Sequence, residues 1–433
     1  MTSTLSRSTG TGSLNAPTIH QLSDGLTIVA EQLPVDAVNL NVWIDVGSAV
    51  ESDTINGMAH FLEHMVFKGT PTLEAGEFER RIEQRGALTN AATSQDYTHY
   101  YVTAAPQDFA TLAPLQLEVV FNPSIPDDAF ERERLVVLEE IRRSEDNPSR
   151  RSFRQTMETA FDRLPYRRSV LGPAGAIEQL TASQMRDFHR RHYSPARTTV
   201  AVVGNLPVEN LISIVEESIA FPGEPKTEPD PESTLRNLMP EEGFTKIVRH
   251  ERVDPALQQA RLMMVWRVPG LNELSETYAL DVLATILGQG RTSRLVRDLR
   301  EERGLVSAIT CSNMTQRLQG VFYISARLPA EHVAEVETAI ARHIRRLHHE
   351  PIAESEITRV RTQVANRFIF GNETPSDRAG LYGYYQAIAG NLNLALQYPG
   401  HIQSLDADAL REATRKYLSP DAYGIVVLKP APR

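Results

Sequence analysis

The sequence of 433 residues holds a single cysteine, Cys311, so no disulfide can form within the chain. Cysteine this sparse fits a reducing compartment, and a cytoplasmic location is the expectation. Cys311, close to Ile309, is expected to pack as a small buried hydrophobe. Long apolar runs are missing too: no stretch approaches the roughly 18–20 residues that a helix needs to span a bilayer. Nor is there a tract dense in Lys and Arg. With a formal charge of −10, this argues against a nucleic-acid-binding face. The first 16 residues contain no acidic side chain and no apolar central segment. That composition excludes a secretory signal and predicts a disordered tail.

What is present is the balance of a globular protein, 41% hydrophobic and 23% charged. The length exceeds one ordinary core, so two or more packed units are expected. The sharpest break is PGEPKTEPDPES at 222–233, whose prolines and charges suit an extended linker rather than a core. On either side the chain repeats its own plan. HYYVTAAPQDF is echoed by VFYISARLPAEHV, and RHYSPARTTVAVVGN by RKYLSPDAYGIVVLK, at offsets near 222–227. The predicted organisation is a tail over 1–16, one unit over 17–221, a linker over 222–243 and a homologous unit over 244–433. Strand patterns at Val38–Val46 and Arg261–Val268 alternate with helical ones at Ala334–Leu347 and Ser355–Phe370. Helices adjacent in sequence break strict alternation, so the fold class is α+β: in each half a mostly antiparallel sheet with helices packed on one face.

The segment SDTINGMAHFLEHMVFKGTP carries the chemistry. Ser52, Asp53 and Thr54 are possible N-caps, Lys68-Gly69 before Pro71 is a stop, and a helix of about three turns lies between. His60 and His64 then stack one turn apart on one face, where two imidazoles can hold one ion. Glu63 flanks them, within reach of a metal-bound water. A chance H-x-x-E-H in a chain of this size is expected at roughly a few per cent, and the alternative is a structural pair of core histidines. Catalytic zinc needs a third protein ligand. In the helix PDDAFERERLVVLEEIRRSEDNP, capped by Asp127 or Asp128, Glu140 shares a face with Val136, Val137 and Glu133. Glu139 lines up with Arg132 and Arg143 and suits a solvated position. Glu140 is therefore the better ligand of the two.

The H-x-x-E-H order, inverted from the commoner zinc-protease helix, resembles the pitrilysin and mitochondrial processing peptidase family of inverted zincins. FLEHMVFKGT, ERERLVVLEEI, HYSPA and RTSRLVRDLREERGL are similar to family blocks, and the likeness runs from about residue 17 onward. In that family a glutamate about 76 residues past the second histidine completes the site, and that position is Glu140 here. The resemblance implies one Zn2+ per chain, held by His60, His64 and Glu140, with Glu63 as general base and Glu133 supporting a ligand. It implies a zinc metalloendopeptidase in which two subunits close a chamber around extended or unfolded peptides. It also implies that Asn90, Ala91 and Thr93 lie on an edge strand beside the substrate backbone, as suits strand addition.

One departure stands out. The family's second half supplies an arginine and a tyrosine seven residues later; here Arg300 is followed at that distance by Ser307. The expectation is a heterodimer whose homologous partner supplies the Arg/Tyr pair, with a homodimer as the alternative and Arg300 as a substrate-binding residue. In the second half, Val282, Thr285 and Ile286 fall where His60, Glu63 and His64 would repeat, so no metal is expected there. His189, His192 and His99 are expected to be structural; His343, His348 and His349 suit the dipole end of a helix and solvent. A non-catalytic scaffold subunit is the competing function, but a scaffold has no reason to keep Glu63 beside three ligands.

Overall fold

The computed structural model describes residues 16–219 and 238–431. Most of the predicted tail and the linker over 222–237 lie outside the described residues. Two sheets organise the rest. The first comprises β1 (Thr18–Gln21), β2 (Thr27–Gln32), β3 (Val38–Ile44), β4 (Leu88–Thr93), β5 (Thr98–Ala104) and β6 (Thr198–Gly204), in the order β1-β2-β6-β3-β5-β4. The second comprises β7 (Val248–Val253), β8 (Ala260–Pro269), β9 (Ala308–Met314), β10 (Gln319–Leu328) and β11 (Gly424–Lys429), in the order β7-β11-β8-β10-β9. Apart from β1 the two orders match strand for strand, each with one parallel pair, β2 with β6 and β7 with β11. This is the duplication that the sequence echoes predicted.

Each sheet carries helices of its own half on one face and a helix of the other half on the second. In the first half they are α1 (Met58–Met65), α2 (Glu77–Gln84), α3 (Pro106–Phe121), α4 (Asp127–Asp146) and α5 (Pro148–Ala160), with further helices before and after β6. One face of the first sheet buries Ile28, Ala30, Val200 and Val202 against α1, α3 and α4. Its other face buries Val29, Ala201 and Val203 in the second half's core, where the helix Pro375–Ala389 lies across β3 and β6. Reciprocally, α5 crosses from the first half to pack on β8 and β11. Every residue of β3 is consequently buried, as expected of a strand covered on both faces.

Close approach at this crossing depends on Gly383: a Cβ there would stand 2.1 Å from the indole of Trp43. A buried ion pair ties the halves as well. Arg378 reaches the Glu31 carboxylate at 3.1 and 3.2 Å, and Tyr382 donates to it at 2.8 Å. Part of the predicted linker, 238–243, is seated rather than extended. Buried Glu241 accepts hydrogen bonds from the backbone N–H groups of Asp162, Arg163 and Leu164.

Candidate metal centre

The helix bearing the H-x-x-E-H motif starts later than the sequence suggested. Residues Asp53–Ile55 form a separate 3-10 turn, and α1 begins after Gly57, whose φ of 100° no side-chain-bearing residue adopts readily. Neither Ser52, Asp53 nor Thr54 caps it. That task falls to buried Glu51, whose carboxylate accepts from the Asn56 side-chain amide at 2.8 Å, Gly57 N at 2.8 Å and Ala59 N at 2.7 Å. Sequence inspection missed Glu51 because it stands outside the ordinary N-cap position. The available signal was an acidic residue shortly before a glycine at a helix start. Similarly, α4 opens at Pro126 with no side-chain cap, so Asp127 and Asp128 merely occupy its first turn. Asn147 ends α4 and caps α5 by accepting from Ser149 N and Arg150 N.

α1 and α4 pack against each other, and this brings three donor atoms together. His60 Nε2 lies 3.5 Å and His64 Nε2 3.7 Å from Glu140 Oε2. Ligands about 2.0–2.1 Å from a tetrahedral zinc stand about 3.3 Å from one another, so the spacing suits an ion between them. Among the described residues this is the one group of His, Cys, Asp and Glu side chains so arranged. His64 Nδ1 is 2.9 Å from Glu133 Oε1, and Lys68 Nζ is 2.7 Å from Glu133 Oε2. Such a chain turns the Nε2 lone pair of His64 toward the trio. Burial opposes ionisation of Glu133, but the Lys68 and His64 hydrogen bonds prevail and hold it below the ordinary carboxylate range. Burial, reinforced by His64, lowers His60 to about 3, keeping its imidazole neutral as a ligand requires. The buried Nδ1 of His60 has no hydrogen-bond partner among the described residues.

Glu63 faces the same space. Its Oε2 accepts from Thr93 Oγ1 at 2.5 Å, and burial raises its pKa against the opposing effects of Thr93 and His64. Thr93 ends β4, together with Asn90 and Ala91, and β4 is the edge of the first sheet, hydrogen-bonded to β5 alone. A cleft of about 580 Å³ opens beside the trio, lined by His60, Glu63, Thr93 and Glu140. Arg300 does not join them: it lies in a π-helical segment, Val296–Glu302, paired with Glu301. Glu139 pairs with Arg142 and Arg143 on the outside of α4.

Several of the remaining histidines have partners of other kinds. His189 Nε2 meets the Val120 carbonyl at 2.9 Å, His192 packs on Phe188, and His99 stacks on Trp43. His343 is not solvated at a helix end but pairs with Asp298 at 2.8 Å, because the π-helical segment covers it. Val282, Thr285 and Ile286 are buried in the helix Tyr278–Gly288, and Cys311 is buried as expected. No helix among the described residues is long and apolar enough to cross a membrane.

Two imidazoles from one helix and a carboxylate from another form a group that could hold a metal ion, with a further carboxylate beside them. The family described as "Insulinase (Peptidase family M16)" matches residues 27–174, and "Peptidase M16 inactive domain" matches residues 179–364. An uncharacterized zinc protease of Mycobacterium tuberculosis is 30% identical over 423 residues, covering 96% of this chain and 93% of its own. A probable mitochondrial-processing peptidase subunit beta of Arabidopsis thaliana is 25% identical over 428 residues, covering 96% and 79%. The crystal structure of a protease from Helicobacter pylori superposes with a TM-score of 0.88 at 26% identity, over 96% of this chain and 99% of that one. The chain belongs to peptidase family M16, the pitrilysin and mitochondrial processing peptidase-like family.

Proposed function

We propose that this chain is a zinc-dependent endopeptidase that hydrolyses extended or unfolded peptides in a chamber formed by two subunits. It is the zinc-bearing member of a heterodimer. One observation carries the reading: the convergence of His60, His64 and Glu140 with Glu63 alongside. These three residues would hold the ion, and Glu133 with Lys68 fixes the ring of His64. When bound, zinc lowers the pKa of a coordinated water and polarises the scissile carbonyl.

The chain's own groups do the rest. A peptide adding to the free edge of β4, the strand that carries Asn90, Ala91 and Thr93, gains main-chain hydrogen bonds along that edge whatever its side chains. Glu63 takes the proton of the attacking water and returns it to the leaving amine. The Thr93 hydroxyl keeps its carboxylate oriented. Arg300 is occupied by Glu301 away from the cleft, which supports a partner subunit as the source of an arginine–tyrosine pair for the oxyanion.

The test is Glu63→Gln, with zinc content measured on the purified chain and peptide turnover measured with its partner subunit present. Zinc should be retained while peptide turnover falls by about 10²–10⁴-fold. Undiminished turnover refutes the general-base role. Full turnover by the chain on its own overturns the heterodimer.

A further inference from the structure

The cleft beside the metal trio carries charge opposite to that of the whole chain. The protein is acidic, at −10, yet beyond the trio the cleft is lined by Arg150, Arg151, Arg154, Arg167 and Arg168, with Glu145 as the facing acid. Three of these guanidiniums are matched. Arg151 pairs with Asp254, Arg168 with Asp53 at 2.9 Å, and Arg154 stands 3.5 Å from Glu145 and 3.8 Å from Glu158. Arg150 and Arg167 are exposed and have no carboxylate partner among the described residues; Arg167 donates only to the Asp162 carbonyl.

The backbone of Arg150 is also held in place. It sits in the first turn of α5, where Asn147 Oδ1 accepts from its backbone N–H at 3.3 Å, and α5 is anchored across the second sheet. A guanidinium on such a rigid support, with no acid of its own, is poised to bind a carboxylate.

We infer that this peptidase prefers substrates with an acidic residue, Asp or Glu, near the scissile bond, and that Arg150, assisted by Arg167, reads it. The inference rests on the peptidase reading above and names its substrate class. Its position follows from helix geometry. From Glu140 to the end of α4 is six residues, a rise of about 9 Å, and α5 starts two residues later. Extended peptide advances about 3.3 Å per residue, so the acidic side chain belongs roughly two or three positions from the cleaved bond. The negative charge of the rest of the surface makes this a short-range selection inside the cleft rather than long-range steering.

The test uses three labelled peptides that differ only at that position, carrying Asp, Ala or Lys. Binding is read by fluorescence anisotropy on zinc-loaded Glu63→Gln chain, and cleavage on wild type with its partner subunit if one is required. The Asp peptide should bind roughly tenfold or more tightly than the Lys peptide, as befits one charge-assisted hydrogen bond. Arg150→Glu should erase or invert that order while circular dichroism stays unchanged, and Arg167→Glu should weaken it. Equal binding of the three peptides overturns the inference, as does a preference that survives both charge reversals. Zinc-dependent cleavage without charge preference sinks this inference alone. Charge-selective binding without zinc-dependent cleavage sinks only the peptidase reading, and absence of any binding sinks both.

Discussion

Replacing Glu51 by glutamine removes one proton-binding site at the start of α1 and alters almost no volume. In the folded chain, burial raises the Glu51 carboxyl from its ordinary 4.5 to about 7, against the opposing hydrogen bonds of Ala59, Asn56 and Gly57 and the charge of Arg168. Between those two pH values the folded chain keeps a proton that the unfolded chain has released. The contribution of Glu51 to stability is therefore complete below about pH 4.5 and is lost as pH rises through about 7. Each pH unit in the window costs up to about 1.4 kcal/mol, on the order of 3 kcal/mol in all. Glutamine has no such proton to lose. With its oxygen kept on the Asn56 and Gly57 donors, its amide nitrogen would face the Ala59 donor, a fixed penalty of about 1–3 kcal/mol that cancels between two pH values. Urea unfolding of wild type and Glu51→Gln, both zinc-free, at pH 5 and pH 8 isolates the effect. Wild type should lose on the order of 3 kcal/mol relative to the variant between the two conditions. A constant difference, or one that grows with pH, refutes the reasoning. It would mean that three donors at the positive end of α1 hold the carboxylate charged despite its burial.

Two further outcomes are expected. Glu133→Gln breaks the support of His64 and should weaken zinc binding about 10–100-fold, read by competition with a chromophoric chelator; unaltered affinity would detach Glu133 from the metal site. Arg378→Ala leaves the Glu31 carboxylate buried without its ion-pair partner and should cost about 3–5 kcal/mol in denaturant unfolding. A loss below about 1 kcal/mol would show that Tyr382 alone suffices to hold that carboxylate.

Where local periodicity carries information, the sequence was legible. His60, Glu63 and His64 stand on one side of a helix because 3.6 residues per turn leaves no other placement for that spacing. The same arithmetic chose Glu140 over Glu139, and in the structure Glu139 does turn outward to Arg142 and Arg143. Helix starts were less legible. The cap of α1 comes from Glu51, and its hydrogen bonds to Asn56, Gly57 and Ala59 exist only because the chain doubles back through a 3-10 turn.

The sequence by itself determined the two-fold repetition of strands and helices and the residues that face one another within each helix, since both depend on neighbours along the chain. Tertiary structure decided which distant surfaces meet. That α5 covers the second sheet while Pro375–Ala389 covers the first follows from fit at sites such as Gly383 on Trp43, and no periodicity encodes such a fit. It also gathered arginines from two separate segments along one wall of the cleft. Net charge, a sum over the whole chain, carries no trace of that arrangement because charge acts over a few ångströms and not over composition.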